Sequence, residues 1–420
     1  MYDVKKTFVR LTGRTPGVLY EPKEATAKQR IAVLVMHSDE DYLDFSTGDA
    51  LAKRGYTVLC ANVMNKEGIL FTQIQKTKSV RAAVAYLRGL KTVEKIVLMG
   101  HSGGATLLSA YQAVAENGPE VFKGPEKIIP YPSDETLPPA DGIMLLDANW
   151  GNAAMQLFSL DPAVEDENSG KMINPELDLF LPENGFHKDG VTYTKDFINR
   201  YQRAQSERNN CLIEYALSRL LLLENGNGNY ADDEPMIIPG AAQGFFNNKL
   251  YAQDPDLMAH TQGAYRLIHA DGSQTTEIIH SLRRQENDVS LTESFWEGAR
   301  FLSVKTFLTS YAVRTESDFG YDASRVWGID WDSSYSCVPG NMRHVSAPTL
   351  VMGMTAGWEF LASETIFSHA AAKDKEIAFV EGATHLFRPA KHMEKQEGQF
   401  GDTEKNLYDF VDAWLSSGRF

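Results

Sequence analysis

The sequence predicts an α/β protein in which a mostly parallel central sheet is flanked by helices and interrupted by a large insertion. Three observations carry that prediction. Short continuous apolar runs alternate with amphipathic helical patterns through the first 150 residues, the same alternation returns after residue 346, and the stretch between them carries few strand signals. Strands that are apolar along their whole length are buried on both faces, which a helix-covered parallel sheet provides.

The elements follow in order. Thr7–Leu11 and Gly17–Tyr20 are joined by Thr12-Gly13-Arg14-Thr15-Pro16, short enough for a hairpin, so the sheet starts antiparallel. Ile31–Met36, Thr57–Ala61, Lys95–Met99 and Gly142–Leu146 read as buried strands. Val80, Ala83, Val84 and Leu87 fall on one helical face, and a second helix from Ala105 presents Leu107, Leu108, Tyr111 and Val114. Thr349–Met352 and Glu376–Val380 are strands around a helix from about Ser363 to Ala372. Leu407, Phe410, Val411, Trp414 and Leu415 mark a last helix that ends at Gly418.

Residues 1–150 and 346–420 therefore form the expected core, and 151–345 a mainly helical cap. Within the cap, helices are expected over Thr194–Gln205, Cys211–Leu223 and Ser294–Ala312. Gly226-Asn227-Gly228-Asn229-Tyr230-Ala231 matches a dinucleotide fingerprint only as a string. It follows a Leu-rich helix and precedes an acidic loop, so it reads as a turn.

Composition narrows the function classes. Of 420 residues, 43% are hydrophobic and 23% charged, enough for a sizeable core. Lys and Arg number 41 against 56 Asp and Glu, a net charge of −15. Such a chain repels phosphate backbones and anionic surfaces, so neither nucleic acid nor a membrane is an expected partner. Cys60, Cys211 and Cys337 are few, odd in number and far apart. They read as thiols of a reducing compartment, neither a disulfide framework nor a zinc site. No apolar run follows Met1, and no stretch approaches 18 apolar residues, so a cytoplasmic location is expected. The sequence leaves a homo-oligomer open. No HExxH, P-loop or clustered His/Asp motif is present, so no metal or other cofactor is expected.

The chemistry starts where Ile96-Val97-Leu98-Met99 runs into Gly100-His101-Ser102-Gly103-Gly104 and a helix follows. This is G-x-S-x-G between a strand and a helix. Glycines let the two elements approach, and the tight turn exposes the Ser102 hydroxyl at the carboxyl edge of the sheet. The Gly103 N–H then points toward a developing oxyanion. A serine needs a base. Of the ten histidines, His385 lies just past the last strand in Gly382-Ala383-Thr384-His385, on the same edge. The strand Ile31–Met36 also ends there, so the backbone of Ser38 or Asp39 is the expected second oxyanion donor.

These segments together resemble the α/β-hydrolase superfamily, over about 1–150 and 346–420. The resemblance implies the α/β-hydrolase fold and a triad in the order Ser, acid, His. The acid would then be Glu359, in the usual position after Thr349–Met352, with Asp147 the alternative after the preceding strand; Asp330 and Asp332 stand third. Ser38 occupies a position where many members carry glycine. A serine hydrolase of an ester, lactone or amide is the implied activity. The large cap suggests an enclosed, bulky small-molecule substrate, with Trp150, Phe245, Phe246 and Tyr251 as candidate walls. An acyltransferase or cyclase on the same triad, or a binding protein, are the alternatives.

Overall fold

The apolar runs pair as their alternation predicts. The computed structural model describes residues 1–63, 72–168, 172–242, 249–286 and 298–420. The strands are β1 (Val4–Arg10), β2 (Pro16–Pro22), β3 (Ile31–Met36), β4 (Thr57–Ala61), β5 (Lys95–Ser102), β6 (Gly142–Ala148), β7 (Pro235–Ile238), β8 (His260–Ile268), β9 (Gln274–His280), β10 (Arg300–Ser303), β11 (Thr315–Tyr321), β12 (Val326–Ile329), β13 (Thr349–Met354) and β14 (Lys375–Val380). Ten of them form one sheet in the order β1-β2-β4-β3-β5-β6-β13-β14-β8-β9. Its opening pairs β1–β2 and β2–β4 are antiparallel, every pair from β4 to β8 is parallel, and β8–β9 is antiparallel again.

Every residue of β3 is buried, because helices cover both faces of the sheet. Ala32, Leu34 and Met36 face one layer, with the helices Gln73–Arg88, Gly104–Asn117 and Phe360–His369. Ile31, Val33 and Val35 face the other, with Ser46–Ala52 and Thr403–Leu415. Each fully buried Leu, Ile or Val contributes roughly 1.5–3 kcal/mol, so the centre of the sheet is the rigid part on which a site can be mounted.

The stretch 151–345 departs from the expectation in three ways. The two helices expected over 194–223 are one continuous helix, Lys195–Glu224, started by the Thr194 hydroxyl accepting from the Phe197 N–H. More consequentially, β8 and β9 lie inside the 151–345 stretch yet extend the core sheet beyond β14. The cap is therefore not a simple insertion between core strands. These strands lack an apolar run because β9 is exposed along most of its length. The remaining cap strands form two small antiparallel pairs, β7 with β10 and β11 with β12. A satellite core of Leu212, Ile213, Met236, Ile238, Val304 and Phe307 ties the long helix to the first pair. Residues 294–297 of the expected helix Ser294–Ala312 lie outside the described residues. Beyond them, Arg300–Ser303 is strand and Val304–Ser310 is a short helix.

Candidate active site

β5 ends on Ser102 and a helix begins at Gly104, so the serine sits on the turn itself. Its φ is +53°, a left-handed conformation that costs an L-residue on the order of 1–3 kcal/mol. The glycines around it are required by close packing. A Cβ on Gly100 would lie 2.7 Å from Ala105 Cα, and one on Gly104 2.3 Å from the Met36 carbonyl oxygen. Ser102 is part-exposed while His101 and Gly103 beside it are buried. Its hydroxyl has no hydrogen bond to a described residue.

His385 follows β14 in a tight loop, where Gly382 has φ +66° and the Thr384 N–H donates to the Arg388 carbonyl. His385 Nδ1–H donates to Asp147 Oδ2 at 2.7 Å. The other carboxylate oxygen of Asp147 accepts the Met354 N–H at 3.0 Å, and the residue is fully buried. A bulge aims this side chain. Leu146 pairs with His101 and Ala148 with Ser102, leaving Asp147 as the extra residue, at φ +44°. Gly357 makes the room, since a Cβ there would lie 2.5 Å from Asp147 Oδ2.

Glu359, the acid first expected, is not hydrogen-bonded to the imidazole. Its Oε2 lies 3.7 Å from His385 Nδ1, and this buried oxygen has no hydrogen-bond partner among the described residues. Asp147 thus takes the bonding position and Glu359 stands behind it. The physical reason is the bulge, which turns a residue at a strand end back toward the loop after β14. Asp330 and Asp332 are engaged elsewhere: Asp330 accepts the Asp332 N–H in a turn, and Asp332 pairs with Arg343.

The electrostatics follow from this crowding. Burial disfavours a charged His385, but the Asp147 hydrogen bond and the charges of Glu359 and Asp147 outweigh it and raise its pKa to about 8. Burial raises the Glu359 pKa; His385 and Lys249 pull against the rise, while the charge of Asp147 adds to it. Asp147, Glu359 and His385 are also the only group among the described residues with donor atoms close enough to hold a metal. The short bond to Asp147 already occupies the imidazole nitrogen that would face such an ion.

On the oxyanion side, the expected donors separate. His37 Nδ1 accepts the N–H groups of Asp39 (3.0 Å) and Glu40 (2.9 Å), so the Asp39 amide is already committed. Gly103 and Ser38 are left as the candidate donors. The Asp39 side chain anchors the loop instead. It pairs with Lys76 at 2.6 Å, accepts the Ser38 hydroxyl at 2.5 Å, and accepts the Asn152 amide at 3.3 Å. The Lys76 side chain is fully buried. Burial pushes the His37 pKa down to about 4, so this ring is neutral with its proton on Nε2.

Two of the expected aromatic walls are packed in the core. Trp150 is completely buried, donating to Thr365 Oγ1 at 3.2 Å and packing on Phe158. Tyr251 is equally buried, against Phe158 and Tyr321. Both belong to the cap–sheet core, and Phe245 and Phe246 lie outside the described residues. Sequence reasoning missed Lys76, Asn152, Tyr42 and His101. Only His101 carried a signal, as the variable residue of the elbow motif.

No family model matches the sequence, and no curated protein is similar to it. Solved structures do resemble it over nearly their whole length. The hypothetical protein PA2218 from Pseudomonas aeruginosa is 11% identical with a TM-score of 0.44, covering 99% of this chain and 93% of its own. The siderophore hydrolase EstB from Aspergillus fumigatus is 12% identical at a TM-score of 0.44, covering 99% and 98%. The alpha/beta hydrolase GrgF from Penicillium sp. sh18 is 13% identical at 0.42, covering 99% and 98%. Similarity at this level says nothing about chemistry.

Proposed function

From the α/β-hydrolase fold of this chain as premise, we propose that it is a serine hydrolase that cleaves an ester, lactone or amide of a small molecule through an acyl-enzyme. One observation carries the reading. A strained serine, a histidine and a buried carboxylate stand on three strand ends of one sheet edge, with the His385–Asp147 bond already made at 2.7 Å. A left-handed serine is costly to maintain, and strain of this kind concentrates at functional sites.

In this reading Asp147 keeps the His385 proton on Nδ1, leaving Nε2 to take the Ser102 proton as Oγ attacks the acyl carbon. The Gly103 and Ser38 N–H groups receive the oxyanion. His385 then protonates the leaving group, and water activated by the same nitrogen releases the acyl-enzyme. Were a substrate hydroxyl or amine to replace water, the same residues would perform acyl transfer or cyclisation.

A fluorophosphonate probe tests nucleophile and activation together. The wild type should be labelled once, at Ser102, and Ser102→Ala should be neither labelled nor active, a loss on the order of 10⁴–10⁶. An alanine variant that kept a tenth of the turnover would sink the assignment.

A further inference from the structure

His101, the residue before the nucleophile, is 1% exposed and has both ring nitrogens engaged. Its Nε2 lies 2.7 Å from the main-chain carbonyl oxygen of His385. A carbonyl only accepts, so the proton is on Nε2 and Nδ1 is an acceptor. Nδ1 faces the Tyr42 hydroxyl at 2.5 Å, which must therefore donate. The His101 and His385 rings lie 4.4 Å apart, with the edge of Phe387 closing one side at 4.9 Å and Phe45 another at 5.0 Å.

Tyr42 is in turn fixed. Its ring stacks between His37 (4.7 Å) and Phe45 (4.3 Å), and its N–H donates to Asn62 Oδ1 at 2.8 Å. The bond to the His385 carbonyl spans 284 positions of sequence and joins the elbow to the loop of the proposed base. Asp147 grips the imidazole of His385, whereas His101 grips its backbone. The two contacts restrain different degrees of freedom.

Resting on the serine-hydrolase reading, we propose that His101, oriented by Tyr42, is a positioning residue that sets the separation of Ser102 and His385. The residue next to the nucleophile would then hold the base at reacting distance from it. A base misplaced by about 1 Å costs on the order of 10²-fold in rate.

Two amide isosteres separate positioning from bulk. In His101→Asn, the side-chain oxygen reaches the Nδ1 position and still accepts from Tyr42, but nothing donates to His385. In His101→Gln, the amide nitrogen reaches the Nε2 position and keeps that donor. The readout is fluorophosphonate labelling, split into kinact and KI, beside the melting temperature. His101→Asn should lower kinact by about ten- to a hundred-fold with KI unchanged, and His101→Gln should recover most of that loss. Where His101→Asn does not yield folded protein, Tyr42→Phe keeps the stacked ring but cannot donate, and should lower kinact by about three-fold or more. An unaltered kinact in His101→Asn or in Tyr42→Phe overturns the proposal. So do equal losses in both His101 variants in step with their melting temperatures, which would mark a purely structural residue. If Ser102→Ala is labelled as fast as the wild type, the serine reading itself falls, a result distinct from either.

Discussion

Replacing Asp147 by Asn and, separately, Glu359 by Gln divides the work of two carboxylates that face one imidazole nitrogen. The distances to His385 Nδ1 are 2.7 and 3.7 Å. Coulomb attraction falls inversely with distance, so Glu359 exerts roughly 70% of the attraction of Asp147 on an imidazolium. Only Asp147 adds a hydrogen bond, about 1.5–3 kcal/mol for a charged acceptor, and only that bond selects the tautomer. Asp147→Asn would keep an acceptor for the Met354 N–H and so preserve the bulge, but would place a donor where Nδ1–H must donate. The comparable change in a serine protease costs about 10⁴, and a loss of about 10³–10⁴ in kcat/KM is expected here.

Glu359→Gln should act mainly through protonation. In the proposed mechanism the neutral imidazole is the base, so with a pKa of about 8 activity should rise through pH 8 and level off above it. Removing the Glu359 charge removes a raising influence, so the limb should move toward the ordinary value near 6.5. At pH 7 the wild type then has about a tenth of its base neutral, and the variant up to about three-quarters. The assay is kcat/KM from pH 5 to 10 for all three proteins, on one ester that labelling by the probe shows to be a competing substrate. Should Glu359→Gln be the crippled variant and Asp147→Asn stay within ten-fold of wild type, the short bond is structural and Glu359 is the acid. A limb that fails to move in Glu359→Gln refutes the electrostatic account.

Ser102→Gly should be more stable to denaturant than Ser102→Ala by about 1 kcal/mol, because glycine accepts a φ of +53° and alanine does not. Both should be inactive; a Gly variant that unfolds first would show that the turn is not strained. Lys76→Met strips the buried partner from Asp39 and should destabilise the protein by about 3 kcal/mol in urea melts while slowing probe labelling. An unchanged labelling rate in the folded variant would separate the ion pair from the oxyanion loop.

The sheet was legible because its strands advertise themselves. All eight expected core strands appear; those at the centre of the sheet are plainest, since residues buried on both faces must be apolar at nearly every position. β8 and β9 were not read, because an edge hairpin needs no apolar run. One clue was present: Asp271-Gly272 followed by Thr275-Thr276-Glu277-Ile278-Ile279, a hairpin turn before β-branched residues, with Gly272 at φ +82°. The polar stretch Ser206–Asn210 resembles a break in the sequence, but the helix Lys195–Glu224 runs through it. Ser206 and Asn209 in fact hydrogen-bond Thr315 and the Val313 carbonyl of the neighbouring cap segment.

The acid shows where sequence reasoning of this kind stops. Ser102 and His385 could be placed because each follows a recognisable strand, and a strand end has a known edge. Choosing between Asp147 and Glu359 needed a fact no motif encodes, the one-residue slip between Leu146 and Ala148 against β5. Side chains alternate along a strand, so without that slip Asp147 would be one step out of phase with the edge it has to face. With it, the carboxylate turns toward His385 at the expense of a left-handed residue, φ +44°, directly beside the pairing that holds another at Ser102. Two unfavourable conformations on neighbouring strands, both needed to bring three side chains to one edge, are what a fold under selection for stability alone would discard. Glu359, in a relaxed position at the start of a helix, involves no such distortion and makes no such bond. In the proposed mechanism this strain, together with the bond to His385, favours Asp147 over Glu359 as the orienting carboxylate.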